Sequence, residues 1–323
     1  EGTMSKRRID WYGVFPPIAT PWTKDGEFDE PAFRKVIDQT IDDGAHGILV
    51  QGCTGEWFMM DLEERYKIHE IAKEQVGDRK VWLLAGTSSV NTRHAVMVAK
   101  HAKKIGYDGH MLLAPPFVLP SERELINHYR EVDKIGLPCM LYNNPERGKD
   151  QENLKPHIVE KLLELETTVA LKDSTVNLPQ LLETQKRCGE TIANFSGREQ
   201  YGPVLMQHGG VGFVAMIMNV VGYHCRVFFD HLQAKRWDQA WEAQTIIDET
   251  YRIIEGNVVP GAGDGYDGWT MVKECMRILD RNGGYMRLPY LPMDESKVPA
   301  VKKALADIGL TPESLKRPAI AAQ

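Results

Sequence analysis

Hydrophobic positions along the chain fall into two alternating kinds of segment. Short runs are apolar at nearly every position: "GVFPPIATP" (13–21), "HGILVQG" (46–52), "KVWLLAG" (80–86), "GHMLLAP" (109–115), "PCMLYN" (138–143), "TVALKD" (168–173), "TIANFSG" (191–197) and "VGFVAMI" (211–217). Between them lie longer stretches with apolar residues at helical spacing, as in Ala95, Val98, Ala99, Ala102 and Ile105. The first kind predicts strands, the second helices. Capping residues sharpen the helix starts. One helix is expected from about Asp29, with Pro31 in its first turn. Another opens on the Asp61/Glu64 capping-box pattern and stops at Gly77, and a third opens on Ser121/Glu124.

The strand runs recur roughly every 30 residues, about one βαβ step, although the last spacing is shorter. They are continuously apolar rather than alternating, the mark of a parallel sheet covered on both faces. Eight such units predict an α/β fold, a (β/α)₈ TIM barrel; an open doubly wound sheet is the competitor. No glycine-rich dinucleotide fingerprint follows the first strand, which weighs against the open sheet. After about residue 230 the strand signal ends, and helical patterns continue around a Gly/Pro/Asp-rich break at 258–268. The expected division is therefore a tag-derived, disordered N-terminus (1–10), the barrel (11–230) and a C-terminal helical extension packed on it (231–323). Glu1-Gly2-Thr3 ahead of Met4 reads as a tag remnant.

Composition narrows the function classes. The 323 residues carry 42% hydrophobic and 26% charged positions, as a globular chain with a sizeable core does. A formal net charge of −6 argues against general attraction to nucleic acid or anionic membrane. No apolar run is long enough to span a bilayer, and the N-terminus lacks a signal-peptide core. The five cysteines are scattered, odd in number and without zinc spacing, so reduced thiols in a cytoplasmic protein are expected. His46 and His208 have no ligand partner at a short interval, and structural roles are expected for both.

A barrel does its chemistry at the C-terminal ends of its strands. Read in order, those tips are Ala19-Thr20-Pro21, "GCTGEW" (52–57), "APPF" (114–117), "YNNPER" (142–147), Lys172-Asp173-Ser174 and "SGRE" (196–199). Lys172 stands out because an apolar strand delivers it. Burial disfavours an ammonium, lowers its pKa and makes the amine a usable nucleophile toward a ketone. The alternative is an ion pair with Asp173 or a surface acid. In "GCTGE", Gly52 and Gly55 free the backbone for close approach to a ligand. The amides of Cys53 and Thr54, with the Thr54 hydroxyl, suit a carboxylate; a tight βα turn is the alternative. Tyr142 offers a phenol for proton transfer, or simply an aromatic layer of the barrel.

At these residues the sequence resembles the dihydrodipicolinate synthase/N-acetylneuraminate lyase superfamily of lysine-dependent aldolases. The strongest signals are "GCTGE", "YNNP" and "KDS", in the family's order, and the likeness runs from "GVFPPIATPW" through "SGREQYGPVLMQHGGVGFVAMIMNV". The resemblance implies a (β/α)₈ barrel with a C-terminal helical region, assembled as a homotetramer, a dimer of dimers. It implies that Lys172 is the Schiff-base lysine, that Tyr142 transfers protons, and that Thr54 with the Cys53 amide clamps the carboxylate of pyruvate or another 2-oxo acid. Gly197 and Val214 match positions lining the imine pocket, and "GGVGFVAM" (209–216) matches the family's glycine-rich eighth strand. No cofactor is implied, since the iminium on Lys172 is itself the electron sink.

Three features bear on the substrate, two of them departures. Synthase members usually carry threonine where this chain has Cys53, and a thiol is a weaker hydrogen-bond partner. They also send a tyrosine from a neighbouring subunit into the site from a loop where this chain has Phe117, which cannot pass a proton. Arg147 points the other way: it matches a synthase arginine that fixes a second, acidic substrate, and Arg suits bidentate carboxylate binding. Arg198 and Glu199, at a position where sugar-acid lyases hold hydroxyls, suggest a polar tail. Trp57, Phe58 and Phe117 would accept a bulkier or aromatic group, as in the family's hydratase-aldolases, or else pack between barrel and loop.

The expectation is a Schiff-base lyase, aldolase or dehydratase acting on pyruvate or a pyruvate-derived 2-oxo acid, such as a 2-keto-3-deoxy sugar acid or a 4-hydroxy-2-oxo acid. Its competitors are 4-hydroxy-tetrahydrodipicolinate synthase, a hydratase-aldolase of an aromatic 2-oxo acid, and a non-catalytic relative that binds a 2-oxo acid. Lys172 and Tyr142 together argue against the last, because pure binding needs neither as chemistry.

Overall fold

A computed structural model describes residues 7–118, 120–145, 154–262 and 268–316. The eight apolar runs form strands β1 (Gly13–Val14), β2 (Gly47–Val50), β3 (Trp82–Gly86), β4 (Gly109–Leu113), β5 (Cys139–Asn143), β6 (Thr168–Asp173), β7 (Ala193–Ser196) and β8 (Gly212–Phe213). All pair in parallel, in the order β1-β8-β7-β6-β5-β4-β3-β2. The ends of this series meet. His46 N–H donates to the Val14 carbonyl at 3.0 Å and Ile18 N–H to the Leu49 carbonyl at 3.0 Å, and Pro17 bridges Leu49 in parallel. The sheet is thus a barrel. β1 and β8 are shorter than their apolar runs because Pro16 and Pro17 lack the N–H a ladder needs.

The predicted caps are present. Helix α1 (Glu30–Asp42) is capped by the Asp29 side chain, which accepts from Ala32 N–H. Helices α2 (Leu62–Val76) and α4 (Glu122–Asp133) each open on a full capping box, with α3 (Thr92–Lys104) between them capped by Asn91. α5 (Pro156–Leu162), α6 (Leu178–Cys188), α7 (Gly202–Gln207), α8 (Met218–Val221) and α9 (His224–Gln233) complete the outer ring.

The strand residues divide between two faces although nearly all are apolar. Met111, Leu113, Met140, Tyr142, Ala170, Phe195 and Leu84 pack with one another inside the barrel. Leu112, Leu141 and Leu171 pack outward against the helices. Phe15 and Phe195, both fully buried, meet edge to face at 5.0 Å in the interior. Each such ring contributes on the order of 1.5–3 kcal/mol by burial, so the barrel is a filled core with its open end at the strand tips.

Arg7 and Arg8 tie the start of the described chain to the barrel: the Arg7 guanidinium donates to the Gly189 carbonyl at 2.8 Å, and Arg8 donates to the carbonyls of Leu165, at 2.8 Å, and Thr168, at 2.9 Å. Residue 230 lies inside α9, whose Phe228 and Phe229 pack against Phe213 of β8, so α9 is the barrel's own last helix. The C-terminal extension begins beyond it, with α10 (Trp237–Ile254), α11 (Trp269–Ile278), α12 (Val298–Asp307) and α13 (Pro312–Leu315). No helix among the described residues is long and apolar enough to cross a membrane.

Candidate active site

Leu113, Tyr142, Lys172 and Phe195 are register partners on β4, β5, β6 and β7, one rung at the barrel's open end. Lys172 is 6% exposed, and its Nζ lies 4.0 Å from the centre of the Tyr142 ring. The Tyr142 hydroxyl accepts from Asn144 Nδ2 at 2.8 Å. One register step on, Asn143 Nδ2 donates to Asp173 Oδ1 at 2.8 Å, and Thr175 N–H donates to the same oxygen at 3.0 Å. The acid beside Lys172 therefore fixes the β5 and β6 tips. "YNN" and "KDS" are adjacent because their strands are hydrogen-bonded neighbours.

The β2 tip is held by two buried polar clusters. Gln51 and Glu56 both adopt left-handed backbone, φ 59°, which costs a residue with a side chain about 1–2 kcal/mol. The Gln51 amide donates to the Arg65 carbonyl at 3.0 Å and accepts from Arg65 Nε at 3.1 Å. Arg65 also donates to the carbonyls of Ser88, at 3.0 Å, and Gly86, at 2.7 Å. Burial pulls its pKa down to about 10. A Cβ on Gly86 would sit 1.9 Å from the Gln51 carbonyl oxygen, so the loop can lie there only against glycine. Glu56, fully buried, accepts from Trp22 Nε1 at 2.8 Å and pairs with Lys273 of α11. Lys273 also donates to the carbonyls of Thr20 and Tyr285, each at 2.6 Å. Burial pushes Glu56 up and Lys273 down, while their attraction opposes both shifts. The three acceptors around Nζ favour the charged pair. Thr20 returns the contact, donating its hydroxyl to the Gly55 carbonyl at 2.8 Å.

Within this frame Thr54 is buried and Cys53 half-buried, and Cys53 packs against the interior cluster that contains Tyr142 and Val214. Gly52 starts the turn, between Leu49 and Pro17. At the β7 tip, Gly197 N–H donates to the Asp173 carbonyl at 2.6 Å, and a Cβ there would sit 2.0 Å from Ser174 Oγ. This close approach of the β6 and β7 tips requires glycine. Val214, buried, donates its N–H to the Ser196 carbonyl at 2.8 Å.

The expected tail contacts fare differently. Arg198 Nε donates to the Ser174 carbonyl at 3.2 Å. Glu199 is 1% exposed and accepts from the Tyr251 hydroxyl of α10 at 2.6 Å. Burial raises its pKa, with the Tyr251 bond and the Lys172 charge opposing. Its carboxyl braces α10 and is closed to solvent. Phe117 stands out from the surface, 86% exposed at φ 73°, away from the cavity walls of its own chain. Arg147 lies outside the described residues.

Glu56 and Asn144 stand in the strand-tip stretches without a role read for them, and Arg65 and Lys273 lie outside those stretches. Lys273 did carry a signal: with Trp269, Val272 and Met276 it occupies the apolar face of its helix, where a lysine needs a buried partner.

Comparison with known proteins agrees with this arrangement. The model of the Dihydrodipicolinate synthetase family matches residues 10–308. An uncharacterized DapA-like lyase of Rhizobium meliloti is 33% identical over 298 residues, covering 92% of this chain and 96% of that protein. A 4-hydroxy-tetrahydrodipicolinate synthase of Thermodesulfovibrio yellowstonii is 31% identical over 301 residues, covering 92% and 98%. The crystal structure of dihydrodipicolinate synthase from Aquifex aeolicus superposes with a TM-score of 0.83 at 26% identity, covering 93% of this chain and 99% of that one. With its parallel barrel, its strand-tip residues and these relatives, the chain belongs to the dihydrodipicolinate synthetase family and is an enzyme of the lyase type.

Proposed function

We propose that the protein is a Schiff-base lyase acting on a pyruvate-derived 2-oxo acid, with Lys172 as the nucleophile. One observation carries this reading. A lysine 6% exposed stands at the open end of a parallel barrel, its Nζ 4.0 Å from the ring centre of a tyrosine whose hydroxyl Asn144 orients. The Lys172 amine adds to the ketone carbon, and the carbinolamine hydroxyl takes the Tyr142 phenol proton and leaves as water, giving an iminium and a Tyr142 phenolate that is the base for the next step. With a 4-hydroxy-2-oxo acid, the C4 hydroxyl gives its proton to the Tyr142 oxygen and the C3–C4 bond breaks. The bond's electron pair moves into the iminium, giving an enamine and a free aldehyde. Protonation at C3 restores the iminium, and water releases pyruvate and the free amine. Thr54 and the Cys53 amide hold the carboxylate throughout. The substrate is the only small molecule this chemistry calls for, since the iminium replaces a cofactor. The assembly proposed is the family's homotetramer, in the cytoplasm, where five free cysteines are at home.

A second reading, 4-hydroxy-tetrahydrodipicolinate synthase, is favoured by the name of the Thermodesulfovibrio yellowstonii relative. Cys53 and Phe117 weigh against it, because each removes a hydroxyl from the synthase's proton route. The deciding experiment is borohydride reduction with pyruvate, read by intact mass. Wild type should gain the pyruvyl adduct on Lys172, and Lys172→Ala should lose both adduct and turnover. An adduct that persists in Lys172→Ala would assign the chemistry elsewhere. Rates with pyruvate plus aspartate semialdehyde, set beside those for 4-hydroxy- and 3-deoxy-2-oxo acids, then separate the two readings.

A further inference from the structure

A cavity of about 230 Å³ opens at the barrel mouth. Cys53, Trp57, Phe58 and Leu113 line it from the barrel side, and Trp269 and Tyr290 from the C-terminal region. Two of these residues tie it to the candidate site. Leu113 shares the rung of Tyr142 and Lys172, two strands from the lysine, so the backbones are separated by about 10 Å at the usual strand spacing. Cys53 is the chain neighbour of Thr54. A substrate held by its carboxylate near Thr54 and by its ketone at Lys172 would extend its remaining carbons toward this space.

The walls state what can fill it. The rings of Trp57 and Phe58 lie 5.8 Å apart, those of Phe58 and Trp269 5.2 Å, and those of Trp269 and Tyr290 6.1 Å. All three separations are within the range of favourable aromatic contact. Among the described residues the lining carries no charged side chain. A polyhydroxylated or carboxylated tail would give up water here for few partners and no cation, the polar atoms of the lining side chains being the Cys53 thiol, the Tyr290 hydroxyl and the indole N–H groups of Trp57 and Trp269. An aromatic ring has room, since a cavity of about 150 Å³ already accepts benzene. Glu56, the chain neighbour of Trp57, is turned into a buried contact with Lys273.

We infer that this cavity is the tail subsite of the substrate, and that it takes an aryl or similarly bulky apolar group on the carbon beyond C3. The inference rests on the reading of Lys172 as the imine-forming residue. It makes the C-terminal region a determinant of specificity, through Trp269 and Tyr290, while the barrel supplies the reacting groups.

The test has three arms. Borohydride trapping with pyruvate reports the imine alone. Pyruvate release is compared for 4-hydroxy-4-phenyl-2-oxobutanoate and a polyhydroxylated 2-keto-3-deoxy sugar acid. Calorimetry with 4-phenylbutyrate, which has no ketone, reports the subsite without any imine. The expected result is kcat/KM at least about tenfold higher for the aryl compound, within the range a hydrophobic pocket discriminates. Val90→Asp, a half-exposed rim residue of the same cavity, should weaken 4-phenylbutyrate about tenfold and leave the pyruvate adduct unchanged. Trp269→Ala should do the same if it folds; Val90→Asp keeps the test open if it does not. Absence of the adduct with 4-phenylbutyrate bound and Val90-sensitive would overturn the imine reading and leave the subsite standing. A trapped imine with preference for the sugar acid, or 4-phenylbutyrate binding indifferent to Val90→Asp, would overturn the subsite.

Discussion

Replacing Lys273 by Met tests whether the C-terminal region holds the β2 loop in shape. Methionine keeps the unbranched stem, one atom shorter, and removes the charge. Lys273 and Glu56 are 3% and 0% exposed in their side chains, so the variant leaves Glu56 as a buried carboxylate bonded to Trp22 alone. The carbonyls of Thr20 and Tyr285 also lose their donor. Removing one partner of a buried pair costs about 3–5 kcal/mol. Unfolding entropy of about 2.1 cal/mol/K per residue gives about 0.7 kcal/mol/K for this chain, so the melting temperature should fall by about 4–7 °C. The deficit should depend on pH with a definite sign. Burial already raises the Glu56 carboxyl above its ordinary 4.5, and loss of Lys273 raises it further. Above 4.5 the unfolded chain releases a proton that the folded variant keeps, so its stability falls as pH rises through that window. Scanning calorimetry of wild type, Lys273→Met and Glu56→Gln/Lys273→Met at pH 5, 6.5 and 8 should show a growing deficit in the single variant and a flatter one in the double. The single variant should also trap pyruvate less readily at low pyruvate, because Thr54 sits on the loosened loop. A melting temperature within about 1 °C of wild type at pH 8 would refute this account of the pair.

Two further outcomes follow from the same geometry. Tyr142→Phe should lower turnover about 10²–10⁴-fold, the scale of a positioned acid–base group, with the melting temperature kept because the ring stays in the barrel layer; a change below tenfold in a steady-state pyruvate-release assay would make Tyr142 a packing residue. His46, His110 and His128 should each cost stability as pH falls from about 6.5 toward 4, about 1.4 kcal/mol per pH unit, since burial holds them down to about 4 and the unfolded chain takes up their protons first. The raised carboxyls of Glu56 and Glu199 act in the opposite direction above 4.5, so the check is an NMR titration of the rings, and imidazole signals that protonate near 6.5 in the folded protein would contradict their burial as neutral rings.

The parts legible in the sequence are those whose cause is local. Continuous apolar runs mark parallel strands wherever they fall, and Asp61 with Glu64 closes a capping box within three residues. Lys172 and Tyr142 could be read as strand-tip residues because each ends such a run, and the barrel then makes them neighbours in register. Strand ends were less legible: the runs at 13–21 and 211–217 gave strands of two residues each, because prolines in the first deny its neighbours a donor. The partner of Glu199 was illegible for another reason. Its place after the β7 glycine is a chain property, but its direction is decided by Tyr251, 52 residues on and in another element. Lys273 and Thr20 are 253 residues apart, and no periodicity links them.

That division has a physical consequence for how the site works. Lys172 and Tyr142 sit on strands that form the barrel's interior, where register holds one geometry. The β2 loop, by contrast, adopts left-handed backbone at Gln51 and Glu56, and two networks compensate for it, one through Arg65 and one through Lys273. The second network is anchored on α11, the helix whose Trp269 also walls the mouth cavity. A shift of α11 would therefore move Trp269 and the loop that carries Thr54 together, while β5 and β6 stayed in register. Substitutions at Lys273, which loosen that loop, should raise KM for pyruvate and shift tail preference in concert, whereas substitutions of Tyr142 and Lys172 on β5 and β6 should act on turnover.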